Sequence, residues 1–206
     1  MIIGLTGTYC SGKNHIAALL EARGYPVLDV DKLGYQALET EKEAILAQFG
    51  EGCLTPENGA LDRRKLGQIV FGNSEKLTAL EAIIHPVANR MTEEWIAGQN
   101  KPCVVNAALL HRSAVFKRLN RLILVKAPFV TRLIRAKRRD RLSLRETLKR
   151  MASQKDFNAQ YLSINAEIYI VENSGLHIKP DPSCSREINW SKKLENRIDM
   201  FIKGIN

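Results

Sequence analysis

Five short apolar runs divide the chain and predict β-strands, at 2–5, 27–31, 104–105, 122–125 and 168–171. Longer stretches between them repeat apolar residues every three or four positions, which is the helical period. Uninterrupted apolar runs are typical of strands buried on both faces, and their alternation with helices favours parallel pairing with right-handed crossovers. The pattern therefore predicts an α/β fold with a five-stranded parallel sheet.

The polar and apolar spacing also predicts where the helices lie. One helix begins near Asn14, and the stretch 40–100 is almost wholly helical, with a break expected between His85 and Pro86. Further helices are predicted at 32–38, 41–49, 61–71, 75–84, 86–99, 128–138, 142–154 and 190–205. We expect a single domain, with a core of about 1–39, 101–128 and 155–206 and two helical segments of about 40–100 and 129–154.

Composition adds a cellular setting. Hydrophobic residues make up 45% of the chain and charged residues 26%, and no run approaches the ~18 apolar residues of a membrane span. The N-terminus lacks the basic segment of a signal peptide. The four cysteines form no CxxC pair and are expected to be reduced: Cys10, Cys53, Cys103 and Cys184. We therefore expect a cytoplasmic enzyme without a membrane partner.

The net charge of +9 is concentrated in one place. The segment 132–150 contains nine Arg or Lys residues and two acidic residues, Asp140 and Glu146. It therefore carries most of the net charge of the chain. A protein that follows a nucleic-acid backbone usually spreads its charge along a face. A single cluster favours a small, multiply charged ligand, and no nucleic-acid partner is expected. A solvated basic surface without a ligand is the alternative.

The first strand leads into a phosphate-binding loop. The segment Gly7–Lys13 has the glycines of a P-loop, whose backbone N–H groups surround a polyphosphate at a helix N-terminus. Lys13 would add a point charge on the β- and γ-phosphates, whereas Asn14 replaces the usual Ser or Thr. The predicted ATP contacts are Thr8, Tyr9, Cys10, Ser11, Gly12, Lys13, Asn14 and His15.

Two carboxylates end the second predicted strand. Asp29 and Asp31 would project to the same side if the strand continued, near the phosphate loop. A kinase needs a carboxylate beside the acceptor hydroxyl, although Asp31 could instead cap the following helix. Arg64 and His85 are further candidates for acceptor contacts, with a solvated or structural role as the alternative.

An ordered set of motifs makes the chain resemble dephospho-coenzyme A kinases over nearly its full length. The set is Gly4-Leu5-Thr6-Gly7, Ser11-Gly12-Lys13, Asp29-Val30-Asp31, Gly59-Ala60-Leu61-Asp62-Arg63-Arg64, Val70-Phe71, Leu80-Glu81-Ala82-Ile83-Ile84-His85-Pro86, Arg150-Met151-Ala152-Ser153-Gln154 and Asn173-Ser174-Gly175. The first motif alone is common, whereas the ordered series is specific. The resemblance implies transfer of the ATP γ-phosphoryl group to the ribose 3′-hydroxyl of dephospho-coenzyme A, the last step of coenzyme A synthesis. It also implies a P-loop kinase core with a helical acceptor-substrate subdomain at about 40–100 and a basic helical lid at about 129–154.

The resemblance also implies roles for individual residues. Asp31 is similar to the carboxylate that orients or deprotonates the hydroxyl, with Lys13 and Arg139 as catalytic partners. Arg135 and Arg150 are similar to lid arginines over the phosphates, and Asn173 opens an adenine-side loop. Mg²⁺ is implied beside ATP, with Asn14 as its candidate ligand. The chain departs from the family pattern at Asn14, His15, Asn106, Ala108, Arg112 and Arg132.

These departures leave several functions open. The leading hypothesis is an active kinase that uses ATP and dephospho-coenzyme A. The alternatives are a catalytically weakened relative that binds nucleotide or coenzyme A, another P-loop nucleoside or nucleotide kinase, and a nucleic-acid binder that uses the basic cluster. The oligomeric state is left open.

Overall fold

A computed structural model describes residues 1–55, 58–70, 72–140, 143–152, 154, 161, 164–175 and 185–205, the side chains of 185–190 excepted. Predicted features at Phe71, Arg141, Ser153, Cys184 and much of 155–184 lie outside these residues, as does part of the expected lid and core.

The five predicted strands form one parallel sheet. Its strands are β1 (Ile2–Gly7), β2 (Val27–Asp29), β3 (Cys103–Asn106), β4 (Arg121–Lys126) and β5 (Glu167–Glu172). Their order is β2-β3-β1-β4-β5, so β1 occupies the centre. Leu5 pairs with Asn106 on one side, and Gly7 pairs with Val125 on the other. The fold prediction is therefore confirmed, and β1 delivers the phosphate loop at the middle of the carboxyl edge.

The described helices follow the predicted apolar spacing with shifted ends. They are α1 (Lys13–Glu21), α2 (Val30–Thr40), α3 (Lys42–Phe49), α4 (Arg63–Val70), α5 (Ser74–Ala97), α6 (Phe129–Asp140), α7 (Leu144–Ala152) and α8 (Ser185–Lys203). No helix in the described part of the chain is long and apolar enough to cross a membrane.

The chain forms two compact units. The first comprises Met1–Leu28 and Gln99–Asn206, and the second comprises Asp29–Gly98. The core of the first unit consists of strand residues such as Ile3, Leu5 and Ile123 together with α1 and α8 residues such as Leu20 and Ile198. Removing these side chains from water stabilises the sheet that holds the phosphate loop. The predicted three-part division remains a prediction.

The second unit has its own apolar core. Leu38, Ile45, Leu66, Val70 and Leu80 are buried together, one or two from each of its helices. A smaller cluster joins Ala37 of α2 to Val87 and Ala88 of α5. The described part of this unit is mostly helical, as the spacing in 40–100 predicts.

Two expected boundaries in this unit are wrong. The second strand ends at Asp29 and α2 begins at Val30, so Asp29 and Asp31 are not successive residues on one strand face. The predicted break at Pro86 is absent, because α5 continues through it. Pro86 is exposed, and the burial of Val87 and Ala88 offsets the single backbone hydrogen bond that proline cannot form.

Candidate active site

The phosphate loop follows β1 with little room for side chains. A Cβ atom at Gly7 would lie 2.7 Å from the carbonyl oxygen of Val125 and against the hydroxyl of Ser11. Gly12 has a φ of 89° and caps α1, while Cys10 has a φ of 59°, which is uncommon outside glycine. The Ser11 N–H donates to the Thr8 carbonyl at 2.9 Å. The backbone is therefore folded into the tight turn that a polyphosphate cradle needs.

Lys13 begins α1 and is held by two carboxamides. Its Nζ donates to Oδ1 of Asn106 at 3.0 Å and to Oδ1 of Asn14 at 3.2 Å. Nδ2 of Asn106 donates to the same Asn14 oxygen at 3.2 Å. Asn106 ends β3 and is 1% exposed, whereas Asn14 is exposed. We call these three residues the lysine–carboxamide triad.

Arg135 is buried below the loop and joins three segments. Its Nη1 donates to the Ser11 carbonyl at 2.9 Å, and its Nη2 donates to Asn173 Oδ1 at 2.8 Å and to the Gly175 carbonyl at 2.5 Å. Burial lowers the pKa of this guanidinium. A Cβ atom at Gly12 would lie 3.2 Å from Arg135 Nη1 and against the Asn173 amide. Arg135 therefore supports the loop from behind through backbone carbonyls.

A second arginine lies one helical turn further along α6. Arg139 donates through Nε and Nη2 to the two oxygens of Asp140, at 2.7 and 3.0 Å. Its guanidinium carbon lies 5.2 Å from the centre of the Tyr9 ring. Tyr9 donates its hydroxyl hydrogen to Asp140, and Nη1 of Arg150 lies 4.0 Å from the same carboxylate. Asp140 thus brings Arg139, Arg150 and Tyr9 together, and we call these four residues the Asp140 cluster.

The environment of the loop changes several pKa values. The hydrogen bonds from Arg139 lower the pKa of Asp140, and hydrogen bonding to Asp140 raises that of Arg139. Burial raises the pKa of the Cys10 thiol, which favours its protonated form. Burial, followed by the charge of Arg135, lowers the pKa of His15 and keeps its imidazole neutral. The positive charge near the loop therefore comes from the lysine and the arginines.

The predicted acceptor residues belong to the second unit. Asp29 caps α2, because its Oδ1 accepts from the backbone N–H groups of Asp31 at 3.1 Å and Lys32 at 3.4 Å. Asp31 lies in the first turn and is exposed, so the helix cap is not its role. Arg64 is exposed at the start of α4, and His85 is exposed in the middle of α5. Their contact with an acceptor remains a prediction.

Three residues make contacts at or near the loop that were not predicted from the sequence. Arg132 donates from Nε to the Tyr9 carbonyl at 2.8 Å, and Gln154 accepts from the Tyr9 N–H at 2.6 Å. Tyr161 is fully buried, with its hydroxyl 3.3 Å from Thr6 Oγ1 and 3.1 Å from His111 Nδ1. Gln154 belongs to a recognised motif, but the sequence does not show that its side chain contacts the loop.

The side chains present do not suit Asn14 as a direct metal ligand. A carboxamide oxygen has two lone pairs, and that of Asn14 already accepts from Asn106 and from an ammonium group. The described residues also contain no group of three His, Cys, Asp or Glu side chains that could hold a metal ion. Asn14 would have to release these hydrogen bonds before it could bind a magnesium ion, and its role as a metal ligand remains a prediction.

Fold and loop together define the class of the protein. A parallel sheet whose central strand enters a P-loop, with a lysine at the start of the next helix, is the arrangement of P-loop kinases. Residues 1–177 match the family model described as dephospho-CoA kinase. The chain belongs to the dephospho-CoA kinase family, as the motif series indicates.

Three relatives are similar in sequence to this chain over most of its length. A dephospho-CoA kinase from Thermus thermophilus is 40% identical over 155 residues, which is 75% of each chain. The Bacillus licheniformis dephospho-CoA kinase is 35% identical over 182 residues, covering 85% of this chain and 89% of that protein. The Treponema denticola dephospho-CoA kinase is 33% identical over 184 residues, covering 84% and 82%.

Solved structures share the fold. A Thermus thermophilus crystal structure matches with a TM-score of 0.74 and 34% identity over 97% of both chains. A dephospho-CoA kinase from Campylobacter jejuni matches with a TM-score of 0.68 at 23% identity, covering 100% of this chain and 98% of that one. A shikimate kinase from Bacteroides thetaiotaomicron, at 0.55 and 11% identity over 98% of each, shares the fold alone.

Proposed function

We propose that this protein transfers the γ-phosphoryl group of ATP to the ribose 3′-hydroxyl of dephospho-coenzyme A, giving coenzyme A and ADP. The family match over residues 1–177 carries this proposal. The alternative of a different P-loop nucleoside or nucleotide kinase has less support, because the three relatives described above are dephospho-CoA kinases.

The donor side of the reaction is assigned to the first unit. The backbone N–H groups of Thr8–His15 surround the phosphates, and Lys13 supplies a positive charge to the β- and γ-phosphates. Arg139 and Arg150 exchange part of their contact with Asp140 for the transferring group, where guanidinium forks stabilise developing negative charge. Their support is the cluster geometry, with Arg139 Nε 2.7 Å from Asp140 and Arg150 Nη1 4.0 Å away.

The acceptor side is assigned to the second unit. Asp31 orients the 3′-hydroxyl and takes its proton as the hydroxyl oxygen attacks the γ-phosphorus and the bond to the leaving ADP oxygen breaks. The support is that Asp29 already caps α2, so helix capping does not explain the second carboxylate, that of Asp31. Arg64 and His85 stay candidates for contacts with the acceptor.

The proposal also includes the metal ion, the cellular setting and the partners. Mg²⁺ is expected with ATP, where phosphate oxygens and water are its usual ligands. We infer a cytoplasmic setting from the widely spaced cysteines, of which Cys10, Cys53 and Cys103 are free thiols. Small-molecule substrates are the proposed partners, and the oligomeric state is left open.

The replacement Asp31→Asn tests the proposal. Coenzyme A formation from ATP and dephospho-coenzyme A should fall by about 10²- to 10⁴-fold, as expected for loss of a general base. The matched control is Asp62→Asn, because Asp62 caps α4 by accepting from Arg64 N–H at 2.9 Å and Lys65 N–H at 3.1 Å. Asparagine caps as well as aspartate, so this control should keep full activity.

A wild-type protein that forms no coenzyme A at high enzyme concentration would overturn the proposal. If calorimetry then still detected ATP binding, the second candidate function would be favoured, a nucleotide-binding relative with weakened catalysis. The observation behind this candidate is Asn14, whose oxygen is engaged by Lys13 and Asn106 where P-loops usually offer a hydroxyl to the metal.

A further inference from the structure

The lysine–carboxamide triad contains a second feature besides a phosphate-binding lysine. In the usual P-loop, the residue after the lysine carries a hydroxyl that ligates Mg²⁺. Here that position is Asn14, and its side-chain oxygen is 3.2 Å from Lys13 Nζ and 3.2 Å from Asn106 Nδ2. The group that would face the metal is thus occupied by hydrogen bonds within the protein.

Both side-chain amides are needed for this arrangement. Asn106 accepts from Lys13 through Oδ1 and donates to Asn14 through Nδ2, so it uses both ends of its carboxamide. A carboxylate at position 106 could accept from the lysine but could not donate to Asn14. The side-chain amides of Asn14 and Asn106 are therefore complementary. The residue at one position restricts which residues at the other can form the same hydrogen bonds.

The triad also disfavours a divalent cation beside Asn14. An ammonium group 3.2 Å from the only side-chain oxygen of Asn14 repels a second cation at that oxygen. Binding the metal there would require Asn14 to give up both hydrogen bonds. Asn106 is almost fully buried, so its freed amide hydrogen would have little access to water.

We propose that the triad makes ATP binding by this protein largely independent of Mg²⁺. The two carboxamides hold the Lys13 ammonium in place before the nucleotide arrives, and the lysine with the backbone N–H groups supplies the attraction for the phosphates. This inference rests on the proposed use of ATP as the donor. It concerns the affinity for nucleotide and leaves open the contribution of the metal to the chemical step.

Calorimetric titration with ATP tests the proposal, with the acceptor omitted and ionic strength held constant. The dissociation constant is measured in excess Mg²⁺ and again in EDTA. For the wild-type protein the two values should agree within about threefold. A Kd that tightens by more than about tenfold with Mg²⁺ would overturn the inference while leaving the proposed donor intact. Absence of ATP binding in both media would overturn the inference and the proposed use of ATP together.

Two variants sharpen the test. Asn106→Asp places a carboxylate against Lys13, so binding in EDTA should weaken by about tenfold and Mg²⁺ should restore most of it. Asn14→Ser removes the acceptor of both hydrogen bonds and offers a hydroxyl instead. It should make binding several-fold tighter with Mg²⁺ than in EDTA. Since Asn14 is exposed, this second variant keeps the test available if the buried Asn106→Asp fails to fold.

The matched control is Asn73→Asp, the same chemical change at a helix cap. Asn73 accepts from the Lys76 N–H at 3.0 Å at the start of α5, and aspartate caps equally well. Its ATP affinity should follow the wild type in both media. If Asn14→Ser and Asn106→Asp also follow the wild type in both media, the triad does not set the metal dependence and the inference is wrong.

Discussion

Arg135 and Arg139 lie one turn apart on α6, and their surroundings differ completely. Arg135 is 6% exposed and donates to the carbonyl oxygens of Ser11 and Gly175, whereas 53% of the Arg139 side chain is exposed and its partner is Asp140. The carbonyl oxygens are fixed parts of the fold. Asp140, in contrast, is a side-chain anion that a phosphate can replace. Arg135 therefore supports the phosphate loop, whereas Arg139 is accessible to a ligand that binds at the loop.

The largest expected effect is on stability, from Arg135→Met. Methionine keeps much of the buried volume but leaves the carbonyls of Ser11 and Gly175 without their donors. We expect a loss of about 2–4 kcal/mol in the free energy of unfolding, because buried neutral acceptors lose their hydrogen-bond donor. Denaturant unfolding followed by circular dichroism measures it. A loss below about 1 kcal/mol would mean that Arg135 does not support the loop. The predicted contact of Arg135 with the phosphates of ATP would then be the better interpretation.

Arg139→Ala should give the opposite pattern. Removing a guanidinium from the transferring phosphoryl group should reduce kcat by about 10²-fold or more, while the free energy of unfolding changes by less than about 1 kcal/mol, as for exposed ion pairs. Steady-state kinetics on the folded variant checks this. Lys137→Ala is the matched control, because Lys137 is exposed on the same helix and its loss removes the same charge. Equal rates for the two variants would contradict a specific role for Arg139.

The contrast between local and distant contacts also explains which features could be predicted from the sequence. Apolar runs and the phosphate loop could be predicted, because both depend on local spacing and on contacts within a few residues. The distinction between Arg135 and Arg139 could not, since burial of Arg135 depends on Asn173 and Gly175, which are distant in sequence. Tertiary packing also decided the course of α5 through Pro86, against the local preference for a helix end.

A smaller effect is expected from Gly12→Ala at the point where Arg135 and the loop meet. The φ of 89° at Gly12 is strained for alanine, and the added methyl group would meet the Asn173 amide. We expect a loss of about 1–2 kcal/mol in stability and about tenfold weaker ATP binding, because the cradle is displaced. Calorimetry and unfolding are measured on the same variant. Gly24→Ala serves as the control, since it has a φ of 82° but open space around its Cβ position. Unchanged ATP affinity in Gly12→Ala would show that the cradle tolerates displacement.

The smallest expected effect concerns the pH dependence of the Asp140 cluster. Hydrogen bonding by Arg139 lowers the pKa of Asp140 in the folded protein, so the unfolded state binds a proton more readily. The stabilisation is therefore fully present above the ordinary aspartate pKa of about 4 and is lost as the pH falls through the lower folded value. Because the arginine is exposed, the contribution is expected to be under about 1 kcal/mol.

Urea unfolding of the wild type and of Asp140→Asn between pH 3 and 7 tests this expectation. The difference in unfolding free energy between them should be constant above about pH 5 and should shrink below the ordinary aspartate pKa. Arg135 provides the contrast, because its partners are carbonyl oxygens that do not titrate, so the stability lost in Arg135→Met should not vary with pH in this range. A pH-independent difference for Asp140→Asn would mean that Asp140 contributes through packing rather than charge, and the contrast between the two arginines would then rest on burial alone.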